Sequence, residues 1–281
     1  MIKSLKASFI CIGGQRCGKN TMYSWLREHP DVSTSHEMEV NFFNRNWEKG
    51  YEWYENNFEH RLGAKTKGEM SSYLYDIQAA ERVYKYNKDI KIIISLRNPV
   101  KRLVSHYKHL IKTGHMSLDN IGINNAIKRN PSLIEFSRYS KYLTYWFDQF
   151  PSKNILVINF DSIVKRPDET YTKLCNFLEI DSSHKPKNLG KKQNSSYIPK
   201  SQLLLKFITK IRLFLEFIGL KSLVRIIRSM QITKIIDYFN DSKIGIDLKE
   251  NDLAFLEGNL ENEWKKIEGL IQEKNPANIG M

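Results

Sequence analysis

The amino-acid sequence predicts an α/β protein in which helices flank a parallel β-sheet. Three segments rich in apolar and β-branched residues, 7–12, 90–96 and 154–159, have the composition of buried strands. A helical pattern follows each segment, and strands that alternate with helices form parallel sheets. Ligands of such sheets bind outside the carboxyl ends of the strands, so we expect the functional residues directly after these segments.

The helices predicted after the three strands have recognisable starts and ends. Residues 19–28 place apolar side chains on one helical face, and a proline soon after them ends this helix. The second helix runs from Pro99 to about Thr113, with Asn98 as a good N-cap. The third runs from about Pro167 to Leu178. Residues 40–60 are dense in aromatic side chains, most of which we expect to pack onto the core.

The last third of the sequence has a different character. Residues 201–240 are amphipathic and basic. We expect helices that pack onto the core there, with a peripheral membrane contact as the alternative. A last surface helix is predicted at 247–273. With no linker or internal repeat, we expect a single domain over 1–281, with a core at about 7–200 and a helical extension at about 201–281.

The composition is that of a globular protein with excess positive charge. Of the 281 residues, 41% are hydrophobic and 27% are charged, and the formal net charge is +13. A lysine-rich solvated surface is one explanation of this charge. A functional explanation is equally good, namely an anionic cofactor, a polyanionic substrate, nucleic acid or an acidic membrane. The lysines are dispersed and no recognition motif is present, so a basic nucleic-acid-binding protein is only the non-enzyme alternative.

The cysteine pattern and the hydropathy point to a cytoplasmic protein. Three cysteines without CxxC spacing argue against a disulfide framework and against a zinc site. We therefore expect a reducing compartment. The N-terminal apolar stretch is too short for a signal peptide, and no segment has the apolar length of a membrane span.

A glycine-rich turn between the first strand and the first helix predicts a phosphate-binding site. Residues 13–21, GGQRCGKNT, combine glycines that let backbone N–H groups approach an anion with the partial positive charge of a helix N-terminus. Arg16 and Lys19 add full charges. The segment nearly matches the GxxxxGK[ST] loop of nucleotide triphosphatases, but Asn20 stands where a hydroxyl should hold magnesium. A P-loop kinase or triphosphatase is therefore the alternative enzyme.

The turn after the second strand predicts another phosphate site. Arg97 follows the strand, and Ser105 lies two turns into the next helix. Guanidinium donors and a hydroxyl suit a dianionic phosphate, and a capped helix N-terminus supports them. Alone, this pattern also fits an ordinary capped helix with a surface arginine. Its pairing with the first turn, in this order, favours the phosphate site.

The two turns together resemble the 5′-phosphosulfate-binding loop and the 3′-phosphate-binding element of sulfotransferases that use 3′-phosphoadenosine 5′-phosphosulfate (PAPS). Residues 7–180 resemble the bacterial and carbohydrate members, of the heparan-sulfate type. The resemblance implies a P-loop-like sulfotransferase fold, PAPS as donor, 3′-phosphoadenosine 5′-phosphate (PAP) as product, and no metal. Lys19 and Asn20 depart from the family's hydroxyl pair, and Arg16 stands where many members have a catalytic lysine.

The resemblance also implies roles for single residues. Arg16 and Lys19 are both candidates for the catalytic cation, and the choice between them is open. Two further lysines, Lys191 and Lys192, would cover the 3′ side of the donor. The complete set of donor-binding candidates is Gln15, Arg16, Cys17, Gly18, Lys19, Asn20, Thr21, Arg97, Ser105, Lys191 and Lys192.

A third segment, residues 35–44, resembles the part of carbohydrate sulfotransferases that carries the general base. Glu39 precedes an aromatic pair there and is the candidate base, with Glu37 and His106 as alternatives. Residues 68–74 resemble the substrate-side motif that follows it. We therefore expect sulfuryl transfer to an acceptor hydroxyl, foremost on a glycan or glycolipid, with a lipid or small-molecule hydroxyl as an alternative.

Overall fold

A computed structural model gives the structure of this chain. It describes residues 6–116, 122–191, 199–220 and 250–276, with isolated positions between 223 and 248. The chain divides into two units. The first comprises residues Met1–Arg102, Phe136–Gln193 and Leu260–Met281, and the second comprises residues Leu103–Glu135 and Asn194–Asn259.

A five-stranded, fully parallel sheet forms the centre of the first unit, which confirms the predicted fold class. The strands are β1 (Phe9–Cys11), β2 (Val32–Thr34), β3 (Thr66–Met70), β4 (Lys91–Leu96) and β5 (Ile155–Asn159). Their order in the sheet is β2-β3-β1-β4-β5. Because β1 is central, the glycine-rich turn that follows it lies beside the carboxyl ends of both β3 and β4.

Three of these strands were predicted from their apolar composition, and two were not. The predicted segments 7–12, 90–96 and 154–159 contain β1, β4 and β5. The strand β2 has only three residues, and β3, with the sequence TKGEM, is polar although all five residues are buried. Neither has the continuous apolar run that marks a buried parallel strand in a sequence.

The helices predicted after the strands are confirmed. Residues 19–28 form α1, and the helices that follow β4 and β5 include α4 and α9. In chain order the helices are α1 (Lys19–Glu28), α2 (Gly50–Glu55), α3 (Ile77–Tyr86), α4 (Pro99–Lys112), α5 (Ile123–Arg129), α6 (Ser132–Glu135), α7 (Ser140–Gln149), α8 (Phe160–Lys165), α9 (Pro167–Leu178), α10 (Gln202–Phe217) and α11 (Glu250–Lys274). The last two lie in the predicted helical extension. None of the helices, over the residues described, is long and apolar enough to cross a membrane.

Side chains on the two faces of the sheet form two separate hydrophobic clusters. Along β1, Ile10 belongs to one cluster, whereas Phe9 and Cys11 belong to the other. This alternation follows from the two-residue period of a strand. The aromatic segment 40–60 joins the first cluster, where the rings of Phe42 and Tyr54 stack at 4.6 Å. The expected packing of these aromatics onto the core is thereby confirmed.

Candidate functional site

Close approach to neighbouring elements requires glycine in the turn after β1. A Cβ atom on Gly13 would lie 2.0 Å from the Oγ of Ser95 and 2.7 Å from its backbone nitrogen. Gly14 donates its N–H to the Ser95 carbonyl at 3.1 Å, which ties the turn to β4. Gly18 has a φ of 94°, and a Cβ there would lie 2.7 Å from Ile163 Cδ1. The turn is therefore held in one conformation, with its three glycines packed closely against other side chains.

The turn leads into the N-terminus of α1 with its backbone donors available. Gly18 is the N-cap residue, and no side chain caps the helix. The N–H groups of Thr21 and Met22 already bond the Gly18 carbonyl, at 3.0 and 3.3 Å. The N–H groups of the first two helical residues, Lys19 and Asn20, have no acceptor within a helix. Together with the helix dipole they make this end of α1 suitable for an anion.

Two half-buried arginines, Arg16 in the turn and Arg97 after β4, lie close enough to influence each other electrostatically. Arg97, directly after β4, donates from Nη1 to the Arg16 carbonyl at 3.3 Å, and its guanidinium lies 4.2 Å from the ring centroid of Phe160. Its buried Nε has no hydrogen-bond partner among the residues described. Burial lowers the pKa of Arg97, and burial followed by the charge of Arg97 lowers the pKa of Arg16. Because an anion would relieve both effects, this is a suitable phosphate site.

The predicted cap of α4 is present, and it is followed by a buried arginine that the sequence analysis did not identify. Asn98 accepts the backbone N–H of Lys101 on Oδ1 at 3.1 Å. Arg102 is fully buried; it donates from Nε to the Gln15 carbonyl at 3.4 Å and from Nη1 to Ser137 Oγ at 3.1 Å. It therefore helps to hold the glycine-rich turn in place through the Gln15 carbonyl. Its position on the core-facing side of an amphipathic helix was the available sequence signal.

Lys19 is folded back into the turn and is almost completely buried. Its Nζ donates to the carbonyls of Gly13 and Gly14, at 2.7 and 3.1 Å, and to Ser72 Oγ at 2.9 Å. The same nitrogen lies 3.5 Å from Glu39 Oε1. An ammonium has three donors, so these three hydrogen bonds fix its position. The positive charge is thereby held at the carboxyl ends of β1 and β3.

The Glu39 carboxylate is held next to Lys19 and remains accessible. Its Oε2 accepts the backbone N–H of Ser72 at 2.8 Å, and its Oε1 accepts the Ser72 hydroxyl at 3.0 Å. The side chain is 39% exposed. The alternative base Glu37 is also exposed, and its backbone carbonyl accepts the Ser35 hydroxyl at 2.7 Å. The structure thus brings Glu39 and Lys19 together, and Ser72 is the additional residue that joins them.

The other predicted donor-binding residues differ in their positions. Asn20 is exposed on α1 and Thr21 is half-buried there, whereas Cys17 is buried with its Sγ 3.5 Å from the Tyr139 hydroxyl. Burial raises the pKa of the Cys17 thiol, so this thiol is neutral. Lys191 is exposed and donates its backbone N–H to the Asn188 carbonyl at 3.1 Å.

Three predicted residues cannot be related to this site. Ser105 is half-buried and His106 lies next to it on α4, and both belong to the second unit. Their predicted roles beside Arg97 and Glu39 therefore stay predictions. Lys192 lies outside the residues described.

Comparison with known proteins gives consistent matches. The family model of the sulfotransferase domain matches residues 6–203. Heparan sulfate glucosamine 3-O-sulfotransferase 3B1 from Homo sapiens is 28% identical over 178 residues, which are 61% of this chain and 45% of that protein. Its namesake from Mus musculus is 29% identical over 178 residues, with the same two shares. This chain therefore spans less than half the length of these relatives.

Among solved structures, a sulfotransferase from Alicyclobacillus acidocaldarius has the same fold. It superimposes with a TM-score of 0.60 at 22% sequence identity, covering 68% of this chain and 87% of the other.

Proposed function

This chain belongs to the sulfotransferase domain family, and from that membership we propose that it transfers a sulfuryl group from PAPS to a hydroxyl group of a carbohydrate. The observation that carries the proposal is the contact between Lys19 and Glu39, whose Nζ and Oε1 atoms lie 3.5 Å apart beside the glycine-rich turn. The contact supports the proposal, because sulfuryl transfer to a hydroxyl needs a base for the proton and a positive charge near the anionic donor.

The residues around the turn fit a donor with phosphate groups at two ends. The 5′-phosphosulfate would bind to the backbone donors of the turn and of α1, with Arg16 and Lys19 close by. The 3′-phosphate would bind to Arg97, whose buried Nε has no partner among the residues described. The role of Ser105 as a second 3′-phosphate ligand stays a prediction from the sequence resemblance.

The chemistry proposed for this site needs one proton acceptor and one stabiliser of negative charge. Glu39 accepts the proton of the acceptor hydroxyl as that oxygen forms its bond to sulfur. The bond between sulfur and the phosphate oxygen breaks, and negative charge develops on that oxygen. Lys19, held by the carbonyls of Gly13 and Gly14, stabilises this charge electrostatically without having to move. We assign Lys19 as the main cation, because its Nζ lies 3.5 Å from Oε1 of the proposed base Glu39.

The carbohydrate acceptor is inferred from the charge and from the relatives. The matched relatives are named for heparan sulfate glucosamine, and the net charge of +13 suits a polyanionic glycan. A glycolipid or small-molecule hydroxyl would give a different outcome in the same assay. The cytoplasmic location stays a prediction, with which three buried free cysteines are compatible.

The direct test is transfer from labelled PAPS to a panel of glycans, glycolipids and phenols, with the wild type and Glu39→Gln. We expect the wild type to label a glycan, and the variant to lose activity by about 10²–10⁴-fold, the usual contribution of a general base. PAP affinity, measured by calorimetry, should change little, because the Glu39 carboxylate has no hydrogen to donate to a phosphate and is not one of the proposed phosphate ligands. A variant with wild-type turnover would refute the base assignment. Turnover of ATP with magnesium, but not of PAPS, would favour the kinase alternative.

A further inference from the structure

A second carboxylate, that of Glu69, lies buried behind the proposed base. Glu69 is in β3 and has no exposed surface. Its Oε2 accepts the Ser71 hydroxyl at 2.5 Å, and its Oε1 accepts the Tyr73 hydroxyl at 2.7 Å. A buried carboxylate is unfavourable unless its hydrogen bonds compensate for the lost hydration. The mechanism described above does not use Glu69, so its presence needs another explanation.

The two hydroxyls connect Glu69 to the backbone that carries Glu39. The Asn41 N–H donates to Ser71 Oγ at 3.1 Å, and the Phe43 N–H donates to the Tyr73 hydroxyl at 3.4 Å. Each hydroxyl has one hydrogen to donate and lone pairs to accept. Because both hydrogens are directed to Glu69, both oxygens are left to accept from the backbone. When it is ionised, the Glu69 carboxylate therefore fixes the direction of both hydrogen-bond chains.

The backbone held in this way has an unfavourable conformation. Glu39 and Asn41 have φ values of 58° and 52°, in the left-handed region that residues other than glycine rarely adopt. Such a conformation persists only where the surroundings determine it strongly. The backbone N–H groups of Asn41 and Phe43 bond the hydroxyls described above, and that of Glu39 bonds the Met70 carbonyl at 2.9 Å. Asn46 Nδ2 also donates to the Val40 carbonyl at 2.9 Å, and turn hydrogen bonds end on the Asn41 carbonyl. Of these bonds, those of the Asn41 and Phe43 N–H groups depend on Glu69.

We propose that Glu69 is a positioning residue, which acts through Ser71 and Tyr73 to hold the backbone so that the Glu39 carboxylate meets Lys19 and Ser72. The inference rests on the proposed function, because its consequence is measured as sulfuryl transfer. Glu69 does not contact the reacting groups. Its loss should therefore lower the rate of transfer more than it lowers affinity for the donor.

The test uses Glu69→Gln, which keeps the shape of the side chain. Its amide NH2 group replaces one carboxylate oxygen and cannot accept the hydroxyl hydrogen that this oxygen accepts in the wild type. We expect kcat to fall about 10- to 100-fold, the scale of an active-site misplacement of about 1 Å. The KM for PAPS and the Kd for PAP should stay within about twofold. Ser71→Ala removes the link from Glu69 to Asn41 but leaves the link through Tyr73. It should therefore give a smaller loss of kcat with the same unchanged affinities.

The matched control is Ser8→Ala. Ser8 is half-buried at the other end of β1 and β3, where its hydroxyl contacts Thr66 Oγ1 at 2.7 Å. This variant should keep wild-type kcat. If Glu69→Gln keeps wild-type kcat, or loses kcat and PAP affinity in parallel, the positioning role is wrong. If the wild type itself transfers nothing from PAPS, the proposed function is wrong. This failure is distinguishable from failure of the positioning role, because the wild type is assayed before any variant is compared with it.

An independent observation in the second unit supports a membrane contact. The helix α10 has an exposed apolar stripe with the spacing of one helical face. Its members are Leu203, Phe207, Ile211 and Phe214, with exposed fractions of 78%, 62%, 44% and 61%. Exposed apolar patches of this kind mark sites of contact with a partner or a membrane. The helix is too short to span a bilayer, so a contact would lie along the surface.

The charge of α10 indicates the kind of surface. Its sequence has three basic residues, Lys206, Lys210 and Arg212, and one acidic residue, Glu216. A helix with basic residues beside an exposed apolar face binds anionic lipid surfaces. We infer that α10 docks on an anionic membrane surface with this stripe facing the lipid.

Co-sedimentation with vesicles tests this inference. The full chain should sediment with vesicles of phosphatidylcholine and phosphatidylglycerol, and much less with phosphatidylcholine alone. A Phe207→Ser/Phe214→Ser variant should bind at least about tenfold more weakly, because it lacks two large apolar side chains that would be buried in the lipid. The control Leu62→Ser removes a 97% exposed apolar side chain from the first unit and should bind like the wild type. Binding that survives in the double variant, or lipid-free self-association that the same variant abolishes, would overturn the inference.

Discussion

Replacement of Glu69 by glutamine should change how the stability of this protein depends on pH. Burial, the main cause, raises the pKa of Glu69 from 4.5 to about 7, and its hydrogen bonds with Ser71 and Tyr73 only partly oppose this. The titratable groups that face it are Tyr54, Tyr73 and Glu39. Burial also raises the pKa of both tyrosines well above the usual value, so they stay neutral in this range.

The sign of the effect follows from proton binding. Below pH 4.5 the carboxyl is protonated in both states and contributes no pH dependence. As the pH rises, the unfolded chain loses this proton first, so the folded state binds more protons and stability falls. The fall continues through about pH 7, where the folded carboxyl is half ionised, and ends above it, where both states are ionised. One pKa unit corresponds to about 1.4 kcal/mol, so the shift costs the wild type about 3 kcal/mol at neutral pH.

Urea unfolding of the wild type and of Glu69→Gln, at several values between pH 4.5 and pH 7, measures this effect directly. Glutamine does not titrate, so the difference between the two curves isolates Glu69 from every other group. We expect the free energy of unfolding of the wild type to fall by about 3 kcal/mol relative to the variant across this range. Parallel curves would show that the carboxyl titrates normally, and the reasoning from its burial would be refuted.

Two further predictions concern the phosphate turns. Arg97→Ala should weaken PAP binding about tenfold or more by calorimetry, since a hydrogen bond to a charged group contributes about 1.5–3 kcal/mol. The control is Lys101→Ala; the Lys101 side chain is 60% exposed, and this variant should bind PAP nearly as the wild type does. If Arg97→Ala binds PAP as tightly as the control does, Arg97 is not part of the site. Gly13→Ala should prevent folding or lower the Tm strongly, because the new Cβ would lie 2.0 Å from Ser95 Oγ. By contrast, Gly269→Ala in α11 meets no atom within 4 Å and should raise stability by up to about 1 kcal/mol, so equal Tm changes would contradict the argument.

The predictability of the fold depended on local composition. The continuous apolar sequence of β4, KIIISL, and the proline and asparagine around the start of α4 mark their elements without knowledge of the rest of the chain. The strand β3 is equally buried but polar. Its polar side chains interact with partners distant in the sequence: Thr66 forms a hydrogen bond with Ser8, and Lys67 forms an ion pair with Glu55. No local sequence pattern indicates such partners.

The candidate site divides in the same way. By itself, the sequence determined that two strand-to-helix turns carry basic residues, and that Glu39 precedes an aromatic pair, because these are features of short segments. Only the tertiary structure decided that Lys19 turns back onto its own loop and lies beside Glu39, and that Ser72 bonds both. The same holds for two buried residues, Arg102, which bonds the Gln15 carbonyl, and Glu69, which bonds Ser71. The contact of Lys19 with Glu39 joins residues 20 positions apart, and that of Arg102 with Gln15 joins residues 87 positions apart. They exist because the parallel sheet brings the carboxyl ends of β1, β3 and β4 side by side, which fixes side chains whose proximity no short segment of sequence can encode.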